Sequence, residues 1–161
     1  MLIASPLPAQ RVRDARAGVQ AETDKRSVVT APIKSMKAIV VTDQAAGTAG
    51  MKLVERPKPP AAINDAIVQI HASGFVPTEL AWPSTWADRR GRDRTPSIPG
   101  HELAGVVTAL GYGTTGLSVG QRVFGLADWH RDGTLAEYVA IEARNLAPLP
   151  GDVDFTVGAS L

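Results

Sequence analysis

The sequence predicts a mainly β domain, a barrel or sandwich of short strands with at most short helices. Three observations carry that reading. From Met36 onward, short apolar and β-branched runs recur, each bounded by glycine, proline or another turn residue. Glycine (15) and proline (12) together fill 27 of 161 positions, about 17%, above the usual share and with no collagen-like period, so tight turns must be frequent. Finally, no long apolar stripe with a 3.6-residue period runs anywhere in the chain.

The elements follow in order. Lys37 to Thr42 is compact and β-branched, Asp43 to Gly47 reads as a turn, and Met51 to Glu55 alternates apolar and polar residues. The connector Pro57-Lys58-Pro59-Pro60 lacks the ladder donors that a sheet interior needs. It leads into Asp65 to Ala72, a strand of period two, and further strands are predicted over Leu103 to Leu110, Gln121 to Phe124 and Leu135 to Ile141. Only 78–90 offers a helical stretch, and Pro83 interrupts it.

The composition, 44% apolar and 20% charged, is that of a folded chain of one domain. A formal net charge of +1 gives no broad positive field for nucleic acid or anionic lipid, and no window approaches the ~20 apolar residues of a membrane span. Zero cysteines exclude disulfides, thiolate zinc sites and cysteine nucleophiles. Residues 1–35 differ from the rest, with six basic residues against three acidic, net +3. Ser5, Pro6 and Pro8 break the apolar start, and Asp14, Glu22 and Asp24 argue against an organelle-targeting peptide. The expectation for 1–35 is a disordered leader or an upstream start before a natural start at Met36, in a cytoplasmic protein.

Two motifs invite chemistry. Gly111-Tyr112-Gly113-Thr114-Thr115-Gly116 fits the dinucleotide pattern G-x-G-x-x-G, but Leu117 to Gly125 is too glycine-rich and β-branched for the helix whose N-terminal amides would hold a pyrophosphate. A turn between strands is the expectation. The pair His101-Glu102 suggests metal ligation or proton transfer, yet a zincin motif needs a histidine where Gly105 stands. Taken alone, the pair reads rather as a strand-end cap.

The pair does not stand alone. Ala72-Ser73-Gly74-Phe75-Val76-Pro77-Thr78-Glu79 precedes Pro99-Gly100-His101-Glu102-Leu103-Ala104-Gly105; Val119 to Phe124, Gly133 to Val139 and Asn145 to Pro150 follow. In content and order these segments resemble the N-terminal catalytic domain of the medium-chain dehydrogenase/reductase superfamily, a GroES-like, partly open β-barrel, over 36–161. The resemblance implies an NAD(P)-dependent oxidoreductase whose Rossmann domain is absent from this stretch, so the chain is expected to be truncated and inactive alone. Phe155 to Leu161 resembles the stretch that leads into that nucleotide-binding domain.

Departures from the family pattern imply the subtype. Zinc-dependent relatives carry a cysteine ligand where this chain has Val76, and four more for a structural zinc. The resemblance is therefore closer to zinc-independent quinone-reductase-like and enoyl-reductase-like members, with no zinc and no other metal expected, even with His71 or His130 added to His101 and Glu102. It implies catalytic roles for Thr78, as a hydroxyl relay, and for His101 and Glu102. Phe75, Val76 and Pro77 would border the nicotinamide, while Thr78 could equally cap the short helix near 79. Glu79 takes the place of a family acid or is an exposed first-turn glutamate. Trp82 and Trp86 would line a flat substrate pocket or, as slightly favoured, anchor their loop.

Arg89, Arg90, Arg92 and Arg94, interleaved with Asp88 and Asp93, read as a solvated loop rather than a phosphate contact, since the 2′-phosphate of NADP falls to the nucleotide domain in relatives. Cofactor-binding residues remain unassigned; no dinucleotide is expected to bind tightly to this chain. The implied substrate is a small carbonyl, enal or quinone, and the implied partner is a second copy in a homo-oligomer or a separate nucleotide-binding chain. The alternatives are a GroES-like interaction module and one half of a split oxidoreductase.

Overall fold

The computed structural model describes residues 35–161; the expectation of a leader falls outside them, save that Ser35 already opens the first strand. Strand β1 (Ser35–Val40) alternates as its sequence demands, with Met36, Ala38 and Val40 buried and Lys37 facing solvent. It pairs antiparallel with β2 (Lys52–Pro57), Val40 opposite Lys52 and Ser35 opposite Pro57. Pro57 thus closes a strand, where its missing N–H does no harm. Met36, Ala38, Val40 and Ile98 form one apolar cluster.

A second, five-stranded sheet runs in the order β6-β3-β4-β5-β7. Its members are β3 (Asp65–Ser73), β4 (Glu102–Leu110), β5 (Arg122–Leu126), β6 (Tyr138–Glu142) and β7 (Leu146–Pro148), all pairs antiparallel. Val68 lies opposite both Val107 of β4 and Val139 of β6, which buries β3 along its first half. These residues, with Ala66, Leu103, Val123 and Ile141, form the main core. The architecture is mainly β and the sheets do not close into one barrel.

The differences from the predicted elements have local causes. Leu135–Glu137, expected in β6, serves β1 instead: Ile39 N–H donates to Leu135 O at 2.8 Å and Glu137 N–H to Lys37 O at 3.0 Å. One continuous segment therefore bridges both sheets, crossing at Glu137, whose O accepts from Ile70 N–H of β3 at 2.9 Å. The expected turn at 43–47 and the residues after it coil into a 3₁₀ segment (Gln44–Gly50), started by Asp43 Oδ1 accepting from Ala45 N–H at 2.9 Å. A short helix α2 (Phe155–Gly158) packs near the chain end. Helical turns are thus not confined to 78–90, and that region breaks where proline requires: a 3₁₀ turn (Pro77–Ala81) ends at Trp82 and α1 (Pro83–Trp86) starts afresh with Pro83 in its first turn. Strand β7 escapes sequence reading because a three-residue partner of β5 has no periodicity to show.

Gly111 to Gly116 forms a turn with no helix after it, leading on to β5. Gly113 and Gly116 hold φ of 81° and 79°, conformations of a reversing loop.

Candidate functional site

The end of β3, the 3₁₀ turn and the start of β4 converge on the predicted residues. A bulge between Ile70 and Ala72 makes His71 the extra residue of β3, which re-aims Ser73 toward the turn that follows. Ser73 Oγ and Thr134 Oγ1 share a hydrogen bond of 2.7 Å. Gly74 lies close to its neighbours: a Cβ there would sit 2.9 Å from Glu102 Oε2, 3.0 Å from Glu102 Cβ and 3.3 Å from Ala159 O, so the Glu102 side chain would have to shift. Ser73, Gly74, Phe75, Val76, Glu102 and Thr156 line one cleft of about 450 Å³.

Glu79 is the organising group, and nothing in its local sequence signals its burial. It is only 1% exposed, not the exposed first-turn glutamate that was one expectation. Its Oε1 accepts from Val76 N–H at 3.1 Å and its Oε2 from Gly100 N–H at 2.9 Å. One carboxylate thereby ties the turn after β3 to the segment that enters β4. Thr85 Oγ1 donates to Glu79 O at 2.7 Å, fixing α1 to the same turn. Val76, not Thr78, is the N-cap of the 3₁₀ turn, so the capping reading of Thr78 fails; its hydroxyl side chain is exposed one residue before Glu79.

His101 is buried, with Nε2 3.6 Å from Glu79 Oε2 and Nδ1 without a partner among the described residues. Glu102 Oε2 is likewise buried and unpartnered among them. The imidazole belongs to a group of three nearly parallel rings: Trp82 and Trp129 lie 4.5 Å apart, His101 and Trp129 5.2 Å, Trp82 and His101 5.8 Å. Trp86 stands outside this group and donates its indole N–H to Leu80 O at 2.9 Å. The partner of Trp82 is Trp129, 47 positions along the chain, which nothing local in the sequence could reveal. It is brought there by the β4–β5 register and by Ala127 N–H donating to His101 O at 2.7 Å.

The arginine loop finds its partners close by. Arg92 pairs with Asp88 at 2.6 Å, Arg89 with Asp128, and the Arg94 guanidinium binds Ser84 O and, at 3.2 Å, Trp129 O. His71 stacks on Phe155 at 4.4 Å rather than approaching His101. No group of three His, Cys, Asp or Glu residues among the described residues is arranged to hold a metal ion.

Burial pushes His101 below the ordinary imidazole value, with Glu79 and Glu102 pulling upward, Arg94 adding to the fall and Asp128 opposing it. The fold therefore favours the neutral ring. The stability this preference contributes is complete above the unfolded value near 6.5 and is lost as pH falls through the folded value. Denaturant titrations at about pH 8 and about pH 5 are expected to show a larger acid loss in the wild type than in His101→Gln; equal losses would contradict the assignment.

The family described as the alcohol dehydrogenase GroES-like domain matches residues 62–151. The chain is 31% identical over 138 residues to L-threonine 3-dehydrogenase of Ruegeria pomeroyi, covering 70% of this chain and 40% of that protein; to the quinone oxidoreductase of Rattus norvegicus it is 30% identical over 98 residues, 61% of this chain and 29% of that one. A putative zinc-dependent alcohol dehydrogenase from Rhizobium etli superposes with a TM-score of 0.69 at 30% identity, over 80% of this chain and 37% of that one. The chain thus spans at most about two-fifths of the length of these relatives.

Proposed function

Because the chain belongs to the alcohol dehydrogenase GroES-like domain family of the medium-chain dehydrogenase/reductases, we propose that it is the substrate-side domain of a zinc-independent, NAD(P)-dependent oxidoreductase acting on a small carbonyl, enal or quinone. The observation that carries this reading is the cleft shared by Phe75, Val76 and Glu102. Its walls are apolar on the Phe75–Val76 side, and Glu102, a residue able to accept hydrogen bonds, borders it as well. Both features suit a nicotinamide ring with its carboxamide.

Zinc fits this donor set poorly. Val76 offers an isopropyl group where a thiolate would be needed, and His101 Nε2 lies against Glu79. The chemistry proposed for this domain therefore needs no metal. Reduction of a carbonyl adds a hydride to carbon and a proton to oxygen; bound NAD(P)H supplies the hydride. The exposed Thr78 hydroxyl can donate its proton to the substrate oxygen and recover one from solvent. Glu79 fixes the backbone on which Thr78 stands, and the neutral His101 ring adds no positive charge there.

The dinucleotide needs a strand–glycine loop–helix unit, and the loop of Gly111 to Gly116 lacks the helix. The 161 residues by themselves are accordingly proposed to transfer no hydride. A threonine dehydrogenase reading is less favoured, because Val76 removes the metal ligand. An interaction-module reading draws support from the barrel type alone.

The test is a chimera in which these residues are joined to the nucleotide-binding domain of a quinone oxidoreductase relative. NAD(P)H consumption with a quinone or enal is expected, unaffected by chelators, and about a hundredfold slower in Thr78→Val. Turnover by the chain without that domain, or loss of the chimera's activity to a chelator, would overturn the proposal.

A further inference from the structure

The three-ring cluster carries more than a wall for a pocket. Its centroid distances of 4.5, 5.2 and 5.8 Å are nearly equal and its interplanar angles are 15° to 25°. Rings in a column would place the outer two much farther apart. The two shortest distances both involve Trp129, so its indole lies across Trp82 and His101 together. His101 beneath it is 4% exposed, whereas Trp129 itself is 42% exposed.

The attachment of Trp129 is unequal along its length. The backbone is held at Trp129 itself by Arg94, which donates to Trp129 O at 3.2 Å, and on either side by Ala127 N–H donating to His101 O and Arg131 N–H to Asp128 O at 3.0 Å. Its indole N–H meets no acceptor among the described residues, in contrast to that of Trp86. No side-chain hydrogen bond anchors the ring, and an aromatic pair contributes modestly beyond its buried area. Trp129 also borders an open cleft of about 450 Å³ with Leu126 and His130, which leaves room for the indole to turn without moving the loop.

We infer that the Trp129 indole is a removable cover, and that a planar conjugated ligand binds by taking its place on the Trp82–His101 platform. Such a ligand recovers the stacking that the indole gives up. A saturated ring of the same size does not. This rests on reading the His101 end of the domain as the substrate site, and it narrows the substrate to flat conjugated molecules.

The test uses the full chain, ¹⁵N-labelled, and two unreactive probes: cinnamyl alcohol, which is planar, and 3-cyclohexylpropan-1-ol, which is not. Indole and imidazole resonances are followed in titrations, with Trp86 as internal reference. Cinnamyl alcohol is expected to shift Trp82, Trp129 and His101 while the saturated probe leaves them in place. Trp129→Ala, at a half-exposed position, is expected to bind cinnamyl alcohol about three- to tenfold more tightly, because no indole competes.

Weaker binding by Trp129→Ala would make Trp129 a fixed wall and overturn the cover, as would unchanged affinity, while leaving the site reading intact. If neither probe perturbs Trp82 or His101 in either protein, the site reading fails and the cover falls with it.

Discussion

Replacing Glu79 by glutamine is expected to lower the unfolding free energy by about 2 kcal/mol, although the two side chains are nearly isosteric. Both carboxylate oxygens accept backbone N–H groups, from Val76 and Gly100. An amide has one oxygen, so its NH₂ must face one of those N–H donors in a site only 1% exposed. A buried donor left without an acceptor incurs a desolvation cost of about 1–3 kcal/mol. The exposed Glu137, whose Oε2 accepts from Lys37 N–H at 2.8 Å, is the control: there water replaces the lost acceptor and glutamine should change stability by about 0.5 kcal/mol or less. Chemical denaturation compares the two. The same substitution removes an upward pull on His101, so the imidazole of Glu79→Gln should titrate at lower pH than in the wild type, as read by NMR. Wild-type stability in Glu79→Gln would dismiss Glu79 as the tie between the turn and β4.

The second large effect is expected at Gly133. An alanine Cβ there would stand 2.2 Å from Gly100 O, 2.6 Å from Pro99 O and 2.7 Å from Ile98 O. All three atoms are backbone, so no side chain can swing aside. Gly133 N–H donates to Ile98 O, and Thr134 and Leu135 bond to Gly100 O and Pro99 O, so relief of the clash breaks the ladder that delivers His101. A loss of about 3 kcal/mol follows, a large part of the roughly 5–15 kcal/mol typical of a domain. Gly116→Ala provides the contrast. Gly116 has φ of 79° and nothing within 4 Å of where a Cβ would stand, and only the left-handed conformation, at about 1 kcal/mol, opposes the methyl group. If Gly133→Ala melts with Gly116→Ala, the packing argument is wrong.

Much of the fold was legible because it rests on local pattern. Period two in Asp65 to Ala72 and a glycine-bounded apolar run in Leu103 to Leu110 marked β3 and β4 within a residue of their ends. The sheet pairing of Leu135 to Glu137 with β1 was hidden, since a strand that changes partners keeps one continuous pattern. In the site, the segments around Thr78 and His101 stood out by their order along the chain. The burial of Glu79 did not, because a charged residue in a first helical turn ordinarily faces solvent.

The resemblance carried by the ordered motifs was enough for the family, and composition and local pattern for the mainly β class and the absence of thiolate chemistry. That one carboxylate gathers Val76 and Gly100, that Trp86 stands apart and that Trp129 covers His101 emerged from the folded chain alone. Glu79 and Gly100, like His101 and Trp129, are more than twenty positions apart. Such relations are set by strand register and by which polar groups find partners away from water, and neither is written in any local stretch of sequence.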